Sequence, residues 1–157
     1  MITYRKAVLV VCHGNINRSP LAAAVLRRFL PLDWIVWEGA LKDDVPLRGE
    51  RAAAKMRDAA AEHGYDLENH RSRRIQMGEV TTARWIVYMD KRNRRYLDLF
   101  EGTQERLLPL GQYAEPRVES IPDPAWLKRD SPEFRNVVNL LIEASKNLAI
   151  RLHGEMN

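Results

Sequence analysis

Lys6-Ala7-Val8-Leu9-Val10-Val11-Cys12-His13-Gly14-Asn15-Ile16-Asn17-Arg18-Ser19-Pro20 carries a strand, a tight loop and the opening of a helix. Lys6 to Cys12 is an unbroken, valine-rich run, the pattern of a strand buried on both faces. Ser19 followed by Pro20 predicts a helix start, with the hydroxyl as cap and proline in the first position. Leu21, Val25, Leu26 and Phe29 then recur at helical spacing until Pro31 stops the helix. Strand, glycine-containing loop and helix in that order open a parallel α/β sheet.

The same alternation continues along the chain. Asp33 to Glu38 predicts a second strand. Glu50 to His63 predicts a helix with Ala52, Met56, Ala59 and Ala60 inward and Gly64 at its C-cap. Arg84 to Met89 is a third strand, followed by a short helix capped by Asp90 with Tyr96, Leu99 and Phe100 facing in. Glu105 to Leu110 is the fourth strand. A proline-rich loop from Gly111 to Asp130 leads to a last helix, opened by Ser131 and Pro132 and striped by Phe134, Val138, Leu141, Ser145 and Leu148. The expected fold is therefore one α/β domain over residues 1–157, a four-stranded parallel sheet with helices on both faces. Right-handed crossovers place the carboxyl ends of the strands on one rim, where ligands of such sheets bind. A loop as long as 111–130 inside a compact domain is usually functional.

The 157 residues, 45% hydrophobic and 29% charged, suit a single core that needs no disulfide or metal staple. The longest early apolar run, Ala7 to Cys12, is far too short to span a membrane or to drive secretion, so a cytoplasmic protein is expected. With one cysteine and four histidines, and neither His-Glu-x-x-His nor Cys-x-x-Cys, no zinc ligand cluster and no cofactor are expected. The net charge of +4 is concentrated in residues 71–95, which hold eight Lys or Arg against two acids. Arg71, Arg73, Arg74, Arg92, Arg94 and Arg95 could follow a nucleic-acid backbone, but a solvated basic face is the ordinary reading of such a run.

The chemistry sits in the loop Cys-x5-Arg-Ser. Successive N–H groups from His13 to Asn17, the helix start and the Arg18 fork suit a tetrahedral oxyanion such as phosphate. The same positive field favours a Cys12 thiolate, a nucleophile at neutral pH. Gly14 permits positive φ, and Asn15 tolerates it while its amide ties the loop. A thiolate attacking a phosphate monoester needs an acid to protonate the departing oxygen. Ile121-Pro122-Asp123-Pro124-Ala125-Trp126 supplies one: Asp123 is held between two prolines on the rim loop. Trp126 is expected to shield it and to stack on an aryl substrate above Ile16.

At these motifs the chain resembles the low-molecular-weight protein tyrosine phosphatases, and the resemblance spans nearly all of it. His70-Arg71-Ser72-Arg73 is similar to that family's His-x-Ser/Ala-Arg segment, and Ile86 to Asn93 to its Met-Asp-x-x-Asn strand end. The resemblance implies a metal-free, two-step hydrolysis. Cys12 is the nucleophile, Arg18 the phosphate clamp, Ser19 the hydrogen-bond donor to the leaving thiolate, and Asp123 first acid and then base. It also implies that Asn15 orders the loop, with His70 behind it. The chain departs from the family pattern where Asn17 replaces a second loop cysteine, Glu38 a serine and Ala125 an aromatic, and where residues 40–48 contain no aromatic.

The expected substrate is a tyrosine-phosphorylated protein, with phosphate or other oxyanions also held by the loop. A protein-arginine phosphatase is the nearest alternative, but relatives of that kind carry Thr where this chain has Ile16, which offers a guanidinium no hydroxyl. Arsenate reductases pass a disulfide along further cysteines that this chain lacks. A non-enzymatic binder of phospho-ligands or nucleic acid would not need the complete set of nucleophile, clamp and acid.

Overall fold

The computed structural model describes residues 4–155. Four strands, β1 (Tyr4–Cys12), β2 (Ile35–Ala40), β3 (Ala83–Tyr88) and β4 (Leu107–Pro109), form one parallel sheet in the order β2-β1-β3-β4. Five helices join or follow them: α1 (Arg18–Phe29), α2 (Ala54–Glu62), α3 (Met77–Thr82), α4 (Lys91–Leu97) and α5 (Pro132–Glu155).

The pleat of β1 divides the core. Val8, Val10 and Cys12 turn to the face covered by α1, α2 and α5, where they meet Leu21, Leu26, Met56, Phe134 and Leu141. Leu9 and Val11 turn to the face covered by α3 and α4, against Val80 and Leu97. Period-two alternation within an all-apolar strand thus feeds two cores. All of Ala7 to Val11 is buried, which makes β1 the axis of the molecule. The fold class expected from the sequence is the one observed.

Several boundaries differ for local reasons. Helix α1 begins at Arg18 with Asn17, not Ser19, in the capping position, because the Ser19 hydroxyl is committed to the loop before it. Strand β2 starts two residues later than expected, after a turn closed by Trp34 N–H on the Pro31 carbonyl. Helix α2 starts at Ala54, since residues 50–53 run extended and bond elsewhere: Glu50 N–H donates to Ser72 Oγ (2.9 Å) and Ala53 N–H to the Ile16 carbonyl (2.8 Å). The helix ends at Glu62 with His63 as its C-cap, and Gly64, expected in that place, follows it at φ 84°. Helix α3 was not foreseen, although Gln76 and Glu79 form a reciprocal capping box at its start. Residues 104–106 make a 3₁₀ turn that leaves β4 only three residues. Leu99, expected to face in, is exposed, and so is Phe29 at the end of the α1 stripe; α4 ends at Leu97, and that residue fills the core instead.

Candidate active site

The loop after β1 folds around the sulfur of Cys12. Cys12 ends the strand and is 3% exposed. Its Sγ accepts the Asn15 N–H at 3.3 Å and lies 3.0 Å from Ser19 Oγ. Asn15 turns the chain with φ 56°, the one described non-glycine residue in that region. This conformation is tolerated best by Asn or Asp outside glycine.

The loop is held from outside by bonds that no local pattern announces. Leu41 and Lys42, just beyond β2, donate to the carbonyls of Cys12 and His13 (both 3.0 Å), and Ala53 to that of Ile16. The Asn15 side chain is fully buried. Its Nδ2 donates to Ser19 Oγ (2.7 Å) and Glu38 Oε1 (3.2 Å), and its Oδ1 accepts Arg73 N–H (3.1 Å). His70 faces the Asn15 carbonyl through Nε2 at 2.7 Å and Glu38 Oε1 through Nδ1 at 3.1 Å.

Arg18 is 2% exposed. Its Nη1 donates to Asp90 Oδ2 (2.7 Å) and the Ile121 carbonyl (2.9 Å), while Nη2 lies 3.9 Å from Asp123 Oδ2. Asp90 also caps α4, its Oδ1 accepting Asn93 N–H (2.9 Å). Burial raises the Asp90 carboxyl, but the Asn93 N–H and the Arg18 guanidinium outweigh it and hold it below the ordinary carboxylate range. At the rim, His13 Nε2 accepts from Arg92 Nη2 (3.2 Å). Burial first, then the Arg92 and Lys42 charges, lower the His13 pKa, so the ring is a neutral acceptor.

Cys12, Arg18 and Asp123 line one cavity of about 110 Å³, with His13, Gly14, Ile16, Asn17 and Ala125 forming the rest of its wall. Asp123 is half exposed, and its Oδ1 accepts Ala125 N–H at 3.0 Å in an Asx turn. Lys55 of α2 secures this segment, donating to the carbonyls of Pro124, Ala125 (3.0 Å) and Leu127 (2.7 Å). Trp126 is the correction here. The turn sends Ala125 to the cavity and Leu127 toward the core, and leaves Trp126 96% exposed and outside the cavity wall. Among the described residues, no three His, Cys, Asp or Glu side chains converge as a metal site would require.

Sequence reasoning named Cys12, Ser19, Arg18 and Asp123, and the structure brings all four together. The reach of Asp90 to Arg18 and the hold of Lys55 on the acid loop are not legible in the sequence, where Asp90 signals only a cap. Glu38 stood out only as a departure from pattern.

The model of the family described as low molecular weight phosphotyrosine protein phosphatase matches residues 7–157. The chain belongs to that family. It is 32% identical over 149 residues to the low molecular weight protein-tyrosine-phosphatase Wzb of Salmonella typhi, covering 94% of this chain and 95% of that protein. Among solved structures, Vibrio vulnificus Wzb in complex with benzylphosphonate superposes with a TM-score of 0.81 at 27% identity, over 93% of this chain and 98% of that one. The YwlE arginine phosphatase of Geobacillus stearothermophilus shares the fold, with a TM-score of 0.82 at 22% identity over 96% of this chain and 95% of that one. The enzyme class is thus protein-tyrosine-phosphatase. No helix among the described residues is long and apolar enough to cross a membrane.

Proposed function

We propose that residues 1–157 act as one phosphatase domain that hydrolyses phosphotyrosine in proteins through a cysteinyl-phosphate. The reading rests on one observation above all: nucleophile, clamp and acid share a single small cavity. The Cys12 thiolate attacks phosphorus while Arg18 and the loop N–H groups hold the equatorial oxygens. The phenolic oxygen leaves with the Asp123 proton. In the second step the Asp123 carboxylate takes a proton from water, which attacks phosphorus as the Cys12–P bond breaks, and Ser19 donates to the returning thiolate. Phosphate is released, and each group regains its starting form.

Tyrosine-phosphorylated protein is the proposed partner. An apolar wall of Ile16 and Ala125 suits an aryl ring, and the benzylphosphonate held by the Vibrio relative is an aryl ligand. A lone reactive thiol suits the reducing cytoplasm, where we place the protein. The fold shared with an arginine phosphatase keeps phosphoarginine as the second reading.

The test is turnover of phosphotyrosyl, phosphoseryl and phosphoarginyl peptides side by side. Phosphotyrosine is expected to be the best substrate. Cys12→Ser is expected to lose hydrolysis while still binding phosphate. Asp123→Asn should lose about 10² to 10⁴ in rate on phosphotyrosine, and less on an activated ester. Phosphoarginine as best substrate would overturn the substrate assignment; turnover by Cys12→Ser would overturn the covalent mechanism.

A further inference from the structure

Behind the phosphate loop lies a buried carboxylate that the two-step reaction does not itself use. Glu38 is in β2 with its side chain 9% exposed, and three donors converge on it. Oε1 meets Asn15 Nδ2 (3.2 Å) and His70 Nδ1 (3.1 Å), and Oε2 accepts Arg27 Nη1 (2.7 Å). Burial works against its charge, but the hydrogen bond and charge of His70 and those of Arg27 prevail and hold the carboxyl below its ordinary range. The group is therefore an acceptor only.

That property decides the direction of a hydrogen bond two residues away. Asn15 can sit in its slot in two orientations, with oxygen and nitrogen exchanged. In the observed one, Oδ1 faces the Arg73 N–H, which can only donate, and Nδ2 faces Glu38, which can only accept. Reversing the amide would set N–H against N–H at Arg73 and oxygen against carboxylate at Glu38. With the amide fixed, Nδ2 donates to Ser19 Oγ at 2.7 Å, so the Ser19 proton is free to point at Cys12 Sγ, 3.0 Å away.

We propose that Glu38 is a positioning residue: through Asn15 it directs the Ser19 proton onto the Cys12 sulfur. The proposal rests on the phosphatase reading and adds to it the residue that sets this bond. Its effect belongs to the second step. There, negative charge returns to sulfur as the Cys12–P bond breaks, and a donor aimed at sulfur stabilises that transition state. In the first step the charge leaves sulfur, so losing the donor costs little.

Glu38→Gln keeps the volume but has only one acceptor. The Arg27 guanidinium takes that oxygen, and an NH₂ is left facing Asn15 and His70. With p-nitrophenyl phosphate in stopped flow, the expected result is a kcat lowered about tenfold, on the scale of one charge-assisted hydrogen bond. KM should fall in parallel, leaving kcat/KM nearly unchanged. A burst of nitrophenolate close to one per enzyme should appear, and acid quench should trap more phosphate on Cys12, the only cysteine in the chain. An unaltered kcat, or a fall in kcat/KM without a burst, would overturn the proposal, because general damage to the fold predicts the latter. If the Gln variant melts below the assay temperature, Glu38→Ala, which removes both acceptor oxygens, is read in the same way. A wild type without turnover would instead overturn the phosphatase reading, whereas a wild type that turns over beside an unchanged Glu38 variant overturns this proposal alone.

Discussion

Ala125 and Trp126 show how far one residue of register matters in a recognition loop. Pro122 and Pro124 stiffen the chain around Asp123, and the Asx turn on Ala125 N–H fixes which of the next two side chains enters the cavity. It is the methyl of Ala125, while the indole of Trp126 stands in solvent. Trp126→Ala should therefore leave kcat and KM for a small aryl phosphate within about twofold. Ala125→Phe, by contrast, adds a ring to the cavity wall beside a bound aryl ester and should lower KM for such esters severalfold, the scale of an aromatic contact of about 0.5 to 1.5 kcal/mol. Steady-state kinetics on p-nitrophenyl phosphate separates the two positions; a large loss with Trp126→Ala would put the indole back in the binding site. The sequence names the pair but not the turn, so an exposed tryptophan next to an acid looked like a wall. Cys12, Arg18 and Ser19 were legible because the loop that joins them is local. Glu38, Lys55 and Asp90 were not, because each reaches its partner across the fold.

Helix α4 has a cap with two tasks. Asp90 spends one oxygen on the Asn93 N–H and the other on Arg18, joining the rim of β3 to the proposed phosphate clamp. Asp90→Asn keeps a side chain that caps a helix as well as aspartate does, but removes the charge facing a buried guanidinium. Loss of a hydrogen bond to a charged group costs about 1.5 to 3 kcal/mol. The thermal midpoint of Asp90→Asn should accordingly fall below that of the wild type in phosphate-free buffer. Saturating phosphate should narrow the gap, since the bound anion supplies the missing charge to Arg18. A gap that phosphate does not change would mean that Arg18 does not clamp the anion. At this scale β1, β3 and α5 were legible, the strands from buried apolar runs and α5 from a long stripe behind Ser131, whose Oγ does accept the Phe134 N–H at 3.1 Å. Helix α3 and the shortened β4 were hidden for the same reason. Arg106 is buried and donates to the carbonyls of Val80 and Ala83 (2.9 and 2.6 Å), so an arginine inside an apparent strand is the bolt between α3 and β3.

The whole molecule is assembled around buried charge as well as buried hydrocarbon, and this gives its stability a sign in pH. Glu38 links α1, β2, the phosphate loop and the His70 segment, while Asp90 links β3, α4 and α1. Both carboxyls are held below their ordinary values despite burial, and Asp33 is lowered by its hydrogen bond and charge pair with Lys6. A depressed carboxyl contributes stability that is present in full above its unfolded value, 4.5 for Glu and 3.8 for Asp, and is lost as pH falls through the folded one. His13 acts in the same direction: its pKa lies below 6.5 in the fold, so the unfolded chain binds a proton that the folded chain refuses as pH drops from that value. Acid also raises the net charge above +4, adding repulsion. Urea midpoints should be level at and above pH 7, ease downward below 6.5, and fall steeply below 4.5. The general repulsion is common to any basic protein, but the Glu38 contribution is not. Glu38→Gln should start from a lower midpoint at pH 7 and lose less on acidification, so that its curve approaches the wild-type curve as pH falls below 4.5. Parallel curves for the two proteins would show that the carboxylate between Arg27 and His70 contributes nothing to the acid sensitivity of the fold.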